Sequence, residues 1–294
     1  MRRTVSVITI VANRPRHLAR LLAGIERSVE PPDEVIVVDM GSTTHPDQTI
    51  GGRKHRSPVR TVDIAPTDEG LPLAAARNLG AANAVGRCLI FLDVDCIPSR
   101  TLVTAYRSAT SRGGLCIGPV RYLRRGWDDD LGDALPPDSL LGRRSAPHPL
   151  RPAPTVETTD SRYQLFWSLS FGLDRSTWDE IGGFCEDYVG YGAEDTDFGL
   201  TASSRRIRLR WMPRGAAFHQ WHPSATPPVD HVADIVANAN RFHRRWGRWP
   251  MEGWLAAFCE MGLVDWEEGH LTLVDGGRPE PRRAITTTTG GTPG

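Results

Sequence analysis

The 294-residue chain carries 35 basic and 35 acidic residues, so its formal net charge is zero. That balance argues against a general nucleic-acid or membrane-surface binder. At 39% hydrophobic and 24% charged it matches an average soluble globular protein and can bury a substantial core, in one large α/β domain with an appendage or in two small domains.

Residues 4–11 (TVSVITIV) are β-branched and almost wholly apolar, as in a strand buried on both faces. Asn13-Arg14-Pro15 interrupts them. Residues 17–29 then place Leu18, Leu21, Leu22, Ile25 and Val29 on one helical face, and Pro31-Pro32 ends the helix. Residues 34–39 (EVIVVD) are a second buried strand, so strand–helix–strand predicts a parallel pair with a right-handed crossover. A third strand is expected near 59–64. An Ala-rich helix is expected over 73–85, with Gly86 as its C-cap. Residues 88–92 (CLIFL) predict a central strand with Asp93-Val94-Asp95 at its carboxyl end, and a helix follows over about 99–111. In such α/β sheets ligands bind outside the carboxyl ends of the strands, which puts Asn13, Arg14, Asp39, Asp93 and Asp95 on one rim.

Residues 124–160 are rich in Pro, Arg, Asp and Gly with little periodicity, and predict a long loop. Apolar residues 166–173, a short helix over 177–181 before Gly182-Gly183, a helix over 194–204, a strand over 207–212 and a helix over 229–246 follow. That last helix is expected to carry His231, Asp234, Asn238 and residues 241–245 on its surface. Residues 276–294 read as a disordered tail. Cys88, Cys96, Cys116, Cys185 and Cys259 are odd in number and form no CxxC pair, which favours free buried thiols over a disulfide framework or zinc site. No stretch of 18 apolar residues spans a membrane and no signal-peptide core precedes the first strand, so the cytoplasm is the expected location.

Three constellations carry chemistry. Asp93 and Asp95, alternate residues leaving a strand end, can reach one cation that also binds substrate phosphates, Mn²⁺ or Mg²⁺. Gly190-Tyr191-Gly192-Ala193-Glu194-Asp195-Thr196-Asp197 crowds three acids into a helix start beside two glycines and an aromatic. Capping explains one or two of them, and a general base near an acceptor explains the third. His219 and His222 follow a strand, and either imidazole could complete the cation's shell. Arg77, in the Ala-rich helix, is open to two readings, a partner for phosphate or acid on the same rim or a plain surface arginine.

Taken together these pieces resemble the GT-A glycosyltransferase superfamily over residues 4–223. SVITIVANRPRHL, EVIVVDMGS, AAARNLGAA and CLIFLDVDCIP look like the nucleotide-binding half of family-two inverting transferases. The stretch from LSFGLDRSTWDEIGGF through GYGAEDTDFGL to FHQWHP looks like the acceptor half of β-1,4-galactosyltransferases and polypeptide N-acetylgalactosaminyltransferases. The resemblance implies a mostly parallel, Rossmann-like sheet flanked by helices, in a single domain over residues 1–275. Residues 1–123 would be the nucleotide-sugar half, 124–160 a flexible loop or insertion, and 161–275 the acceptor half with the C-terminal helices.

It further implies that Asn13 and Arg14 contact the nucleotide and that Asp39 hydrogen-bonds the base, uracil first. Arg77 would help hold the nucleotide, Asp93 would meet ribose or cation, and Asp95 with His219 or His222 would bind the metal. Tyr191, Gly192 and Glu194 would hold the acceptor, and Asp195 rather than Asp197 would be the catalytic base. The implied partners are a nucleoside diphosphate sugar and a glycan, lipid-linked or small-molecule acceptor. This chain departs from relatives in having Asp39-Met40 where many have two adjacent acids, and Tyr191 where galactosyl members often carry Trp. Trp246, Trp249, Trp254 and Trp266 are read as core packing or a homodimer contact before a sugar platform. The competing functions are a sugar-nucleotide binder without transfer and a sugar nucleotidyltransferase; the second usually needs a Gly-rich basic loop that Ala12-Asn13-Arg14-Pro15 lacks.

Overall fold

The computed structural model describes residues 2–52, 54–131, 134–267 and 269–274; the expected tail over 276–294 lies outside them. The first half supplies strands β1 (Val5–Val11), β2 (Glu34–Asp39), β3 (Val59–Asp63), β4 (Cys88–Leu92), β5 (Cys96–Pro98), β6 (Leu115–Ile117) and β7 (Val120–Leu123). Between them run helices α1 (Pro15–Glu26), α2 (Asp47–Ile50), α3 (Leu73–Asn83) and α4 (Leu102–Thr110). The second half adds α5 (Asp138–Arg143), β8 (Ser145–Pro147), β9 (Thr158–Asp160), β10 (Ser170–Asp174), α6 (Arg175–Ile181), α7 (Glu194–Ser204), β11 (Leu209–Trp211), β12 (Ala217–His219), α8 (Val232–Trp246), α9 (Glu252–Glu260) and the hairpin β13 (Val264–Glu267) and β14 (His270–Leu273).

Eight strands form the central sheet in the order β3-β2-β1-β4-β10-β6-β11-β9. β3, β2, β1 and β4 are mutually parallel, β10 runs antiparallel to β4 and β6, and β11 is parallel to β6. β1, β2 and β4 are buried along their whole lengths, which is why their sequences are continuous apolar runs. The two-residue period then divides them between two cores. Val5 and Val7 pack toward α1 and α4, whereas Ile8 and Ile10 pack toward α3, α6 and α7.

A second sheet, β5-β12-β7-β8, sits beyond the carboxyl end of β4 and pairs His219 with Cys96 and with Tyr122. Chain segments entering from sequence-distant regions therefore meet where β4 ends. A separate cluster of Val232, Ile235, Leu255, Phe258, Val264 and Leu271 joins α8, α9 and the hairpin; Trp249 and Trp254 pack against it, as the core-packing reading expects.

Several expectations are corrected. Residues 124–160 are not one long loop: they contain α5 and β8, and β9 pairs antiparallel with β11 as an edge of the main sheet. These pieces are short and held by partners far along the chain, so local periodicity is silent about them. Gly86 does not cap α3, whose C-cap is Ala84. A Cβ at Gly86 would instead collide with Ser6, so glycine is needed there for close approach. Asn238 is buried rather than on the surface of α8, because its amide donates to Val189 and Tyr191 carbonyls. All five cysteines are free. Among the described residues no helix is long and apolar enough to cross a membrane.

Candidate active site

Asp93 and Asp95 leave β4 as it runs out of sheet. Asp93 N–H donates to the Leu169 carbonyl at 3.0 Å, and the Asp95 carbonyl accepts from Gln220 N–H at 2.7 Å. That second bond ties the end of β12 to the aspartate turn and brings two histidines onto it. His219 Nε2 lies 3.3 Å and His222 Nε2 3.5 Å from the same oxygen, Asp95 Oδ2. One ligand atom from each of the three residues lies within 4.8 Å of the others.

The other carboxylate oxygen, Asp95 Oδ1, is buried without a hydrogen-bond partner. A buried orphan oxygen on the carboxylate that both histidines approach calls for a ligand. An oxygen-and-imidazole donor set suits Mn²⁺, so the residues present fit a divalent cation. Burial works against charge on Asp95, but His219 and His222 outweigh it and hold the carboxyl well below its usual range. Burial likewise opposes charge on His219, yet Asp95 wins and raises it.

Arg77 forms the second part of the site. It is buried on α3 rather than on the surface. Nη2 donates to Asp93 Oδ1 at 3.3 Å and Nη1 to Glu194 Oε1 at 3.2 Å. The guanidinium also lies over Phe184, 5.2 Å from its centroid. Beside it, Asn78 donates to the Phe184 carbonyl at 2.9 Å and accepts from the Phe184 amide at 2.8 Å. The Arg-Asn pair thus latches the Gly-Gly-Phe stretch and the start of α7 onto the nucleotide half. Burial pushes the Asp93 carboxyl up to about 6 despite Arg77.

The acidic start of α7 separates three acids by role. Asp197 is buried and accepts from Trp246 Nε1 at 2.7 Å and Tyr188 OH at 3.2 Å, with Arg245 Nε at 3.1 Å. Those bonds consume it structurally. Glu194 is buried with Oε2 unpartnered. Asp195 is half-buried and accepts only from its neighbour Thr196, through N–H at 2.6 Å and Oγ1 at 3.3 Å, among the described residues. Burial, reinforced by the Glu194 charge, pushes Asp195 up to about 7, the range suited to a general base.

The preceding loop is held in left-handed backbone at Gly190, Gly192 and Ala193. A Cβ at Gly190 would meet Asp234, whose carboxylate accepts from Tyr191 N–H at 3.1 Å. Tyr191 is 39% exposed and stacks on His231 with centroids 4.8 Å apart. Burial, then Asp195 and Glu194, raises its hydroxyl, which places that hydroxyl in the field of the acids.

On the rim of β1 and β2, Asn13 has a φ of 54° and its Oδ1 accepts from Thr43 N–H at 2.8 Å, while its own N–H donates to Ser42 Oγ at 2.9 Å. Asp39 is buried and accepts from Ser42 N–H and Oγ–H. These bonds shape the turn beyond the strand ends. The Arg14 charge reaches His17 and His219.

Four neighbours were missed by sequence. His17 of α1 meets the His222 ring edge-on at 6.5 Å, and burial with Arg14 lowers it to about 4. Tyr122 tilts against His219 at 4.9 Å, His148 against Tyr122 at 5.7 Å, and His148 meets Trp167 edge-on at 4.7 Å. His17 lies three residues past Arg14 on the predicted rim, a signal that could have been read; the Tyr122–His148–Trp167 wall depends on strand pairing and could not.

Known proteins resemble this chain in sequence and in fold. The profile described as "Glycosyl transferase family 2" matches residues 6–135, and that described as "N-terminal domain of galactosyltransferase" matches residues 155–222. Validoxylamine A glucosyltransferase of Streptomyces hygroscopicus subsp. limoneus is 27% identical over 263 residues, covering 82% of this chain and 56% of the relative. The chain therefore spans little more than half the length of that relative. Among solved structures, S. aureus TarS 1–349 in complex with UDP-GlcNAc aligns with a TM-score of 0.56 and 14% identity over 85% of this chain and 75% of its own. GalNAc-T7 with UDP, GalNAc and Mn²⁺ aligns with a TM-score of 0.54 and 16% identity over 88% of this chain and 55% of its own. At these identities the structural likeness is one of fold.

Proposed function

We propose that this chain, a glycosyltransferase of the GT-A fold, moves a sugar from UDP to an acceptor hydroxyl with inversion at the anomeric carbon. One observation carries the reading. Arg77 joins Asp93, two residues before Asp95, to Glu194, the neighbour of Asp195, which supports reading the aspartate–histidine cluster and the Asp195 carboxylate as parts of one site.

In this reading Asn13, Arg14 and Asp39 receive the nucleoside at the ends of β1 and β2. Asp95, His219 and His222 would hold Mn²⁺ or Mg²⁺, with Asp93 beside them, and such an ion would supply positive charge against a departing diphosphate. Tyr191, Gly192 and Glu194 orient the acceptor. Asp195 removes the proton from the acceptor hydroxyl. The freed oxygen attacks the anomeric carbon on the face opposite the diphosphate, the C–O bond to the phosphate breaks, and a single displacement inverts the centre. Glu194 Oε2, buried and unpartnered, is an acceptor waiting for a hydroxyl donor. The free cysteines suit a reducing compartment, and the reading places the domain in the cytoplasm.

The test is UDP release from a panel of UDP-sugars with Mn²⁺, with and without candidate acceptors. Acceptor-stimulated release that disappears in Asp195→Asn supports transfer. Donor binding without release for any sugar would reduce the protein to a sugar-nucleotide binder.

A further inference from the structure

Arg151 lies between β8 and β9, in the stretch whose sequence carried no periodic signal. It is 8% exposed, and neither Nη1 nor Nη2 has a hydrogen-bond partner. A guanidinium stays charged and offers five donors, and leaving such a charge buried and unpaired costs several kcal/mol. The other buried arginines here each have a carboxylate partner. Arg210 pairs with Glu157, Arg107 with Glu30, and Arg77 with Asp93 and Glu194. Among the described residues Arg151 forms no ion pair and receives only aromatic faces, Trp167 at 5.5 Å and Trp211 at 5.2 Å from its Cζ. Stacking fixes the plane of the fork and leaves its N–H edge free for a planar or tetrahedral oxyanion.

The place is as informative as the missing partner. Arg151, with Gly118, His148 and Trp211, lines a cavity of ≈ 50 Å³, larger than a single water needs. His148 belongs to the Tyr122–His148–Trp167 wall that leans on His219. The Asp195 carboxylate acts electrostatically on Arg151, so the guanidinium stands within reach of that acid.

We propose that Arg151 is an oxyanion-binding residue of the active centre, receiving a phosphate or carboxylate carried by a bound substrate. The inference rests on the transferase reading and deepens it. The anion has two sources, the diphosphate of the donor or an acidic group on the acceptor, and calorimetry separates them. UDP with Mn²⁺ is titrated into the wild type, Arg151→Met and Arg151→Lys, and inorganic phosphate is then titrated into each protein already saturated with UDP and Mn²⁺.

A loss of tenfold or more in UDP affinity in Arg151→Met assigns the residue to the donor diphosphate. Unchanged UDP affinity with tenfold weaker phosphate binding assigns it to an anionic acceptor. Arg151→Lys, which keeps the charge and loses the fork, is expected to weaken the same arm by less and carries the test if the Met variant does not fold. Unchanged affinity in both arms, with only a lowered Tm, overturns the proposal by making Arg151 structural. A wild type that binds no UDP defeats the donor-site reading instead, and Arg151 is then judged on the phosphate arm alone.

Discussion

Arg77 on α3 donates to Glu194 at the start of α7 across 117 residues of chain, at 3.2 Å and out of solvent. The same guanidinium faces Asp93, so removing it strands two carboxylates. Breaking a buried pair by deleting one partner costs about 3–5 kcal/mol. Arg77→Met is expected to lose that much in chemical denaturation, and Arg77→Lys less, since one ammonium cannot hold both acids in the fork geometry. A loss below about 1 kcal/mol in Arg77→Met would detach Arg77 from any structural role in joining the two halves.

A base with its pKa raised to about 7 must be ionised to act. Below that value Asp195 is protonated, so kcat/KM is expected to rise about tenfold per pH unit on the acid side and level off above neutrality. Asp195→Asn is expected to remove turnover and leave UDP affinity within about threefold of wild type. A pH-rate profile flat from about 5.5 to 8 would contradict the assignment.

Asp95 supplies a carboxylate that both histidines face. Asp95→Asn is expected to weaken Mn²⁺ binding by at least about tenfold, or ~1.4 kcal/mol, as read by calorimetry. His219→Ala and His222→Ala are expected to weaken it too, and a variant of either that binds Mn²⁺ as wild type does is not a ligand. Chelation of the metal should abolish turnover and leave the far-UV circular dichroism unchanged, since the fold is built from apolar cores.

Gly80 faces β1 so closely that a Cβ would collide with Ile8 Cγ2 and lie 3.1 Å from Val38 Cγ2. Helix propensity alone would favour Gly80→Ala by about 1 kcal/mol. Overpacking costs typically ~1–3 kcal/mol and wins, so the variant is expected to lower Tm by several degrees. A raised Tm would show that α3 can lift off the sheet.

The elements legible in the sequence are those whose signal is local. EVIVVD and CLIFL are read as strands because burial on both faces forces continuous apolar composition, and α7 is found because its acids crowd one helix start. The rim rule then put Asp93 and Asp95 at a strand's carboxyl end. What escaped depends on distant partners. Thr158 to Asp160 become an edge strand through pairing with Leu209 to Trp211, and nothing in TTD itself announces it. The burial of Arg77 follows from two acids 16 and 117 residues away, and that of Arg151 from aromatic faces supplied by β11 and a loop. Side-chain roles were thus visible at the ends of strong elements and hidden wherever tertiary pairing assigns them.

The central claim is spatial, that one cation held by Asp95, His219 and His222 shares a site with the diphosphate of the donor. Anomalous diffraction near the manganese edge, from crystals grown with Mn²⁺ and UDP, tests it directly. A single strong peak within coordination distance of Asp95 and at least one of the two imidazoles, touching the diphosphate, is the predicted result. UDP bound with no anomalous peak among these three side chains, or with its manganese held elsewhere, would contradict the account.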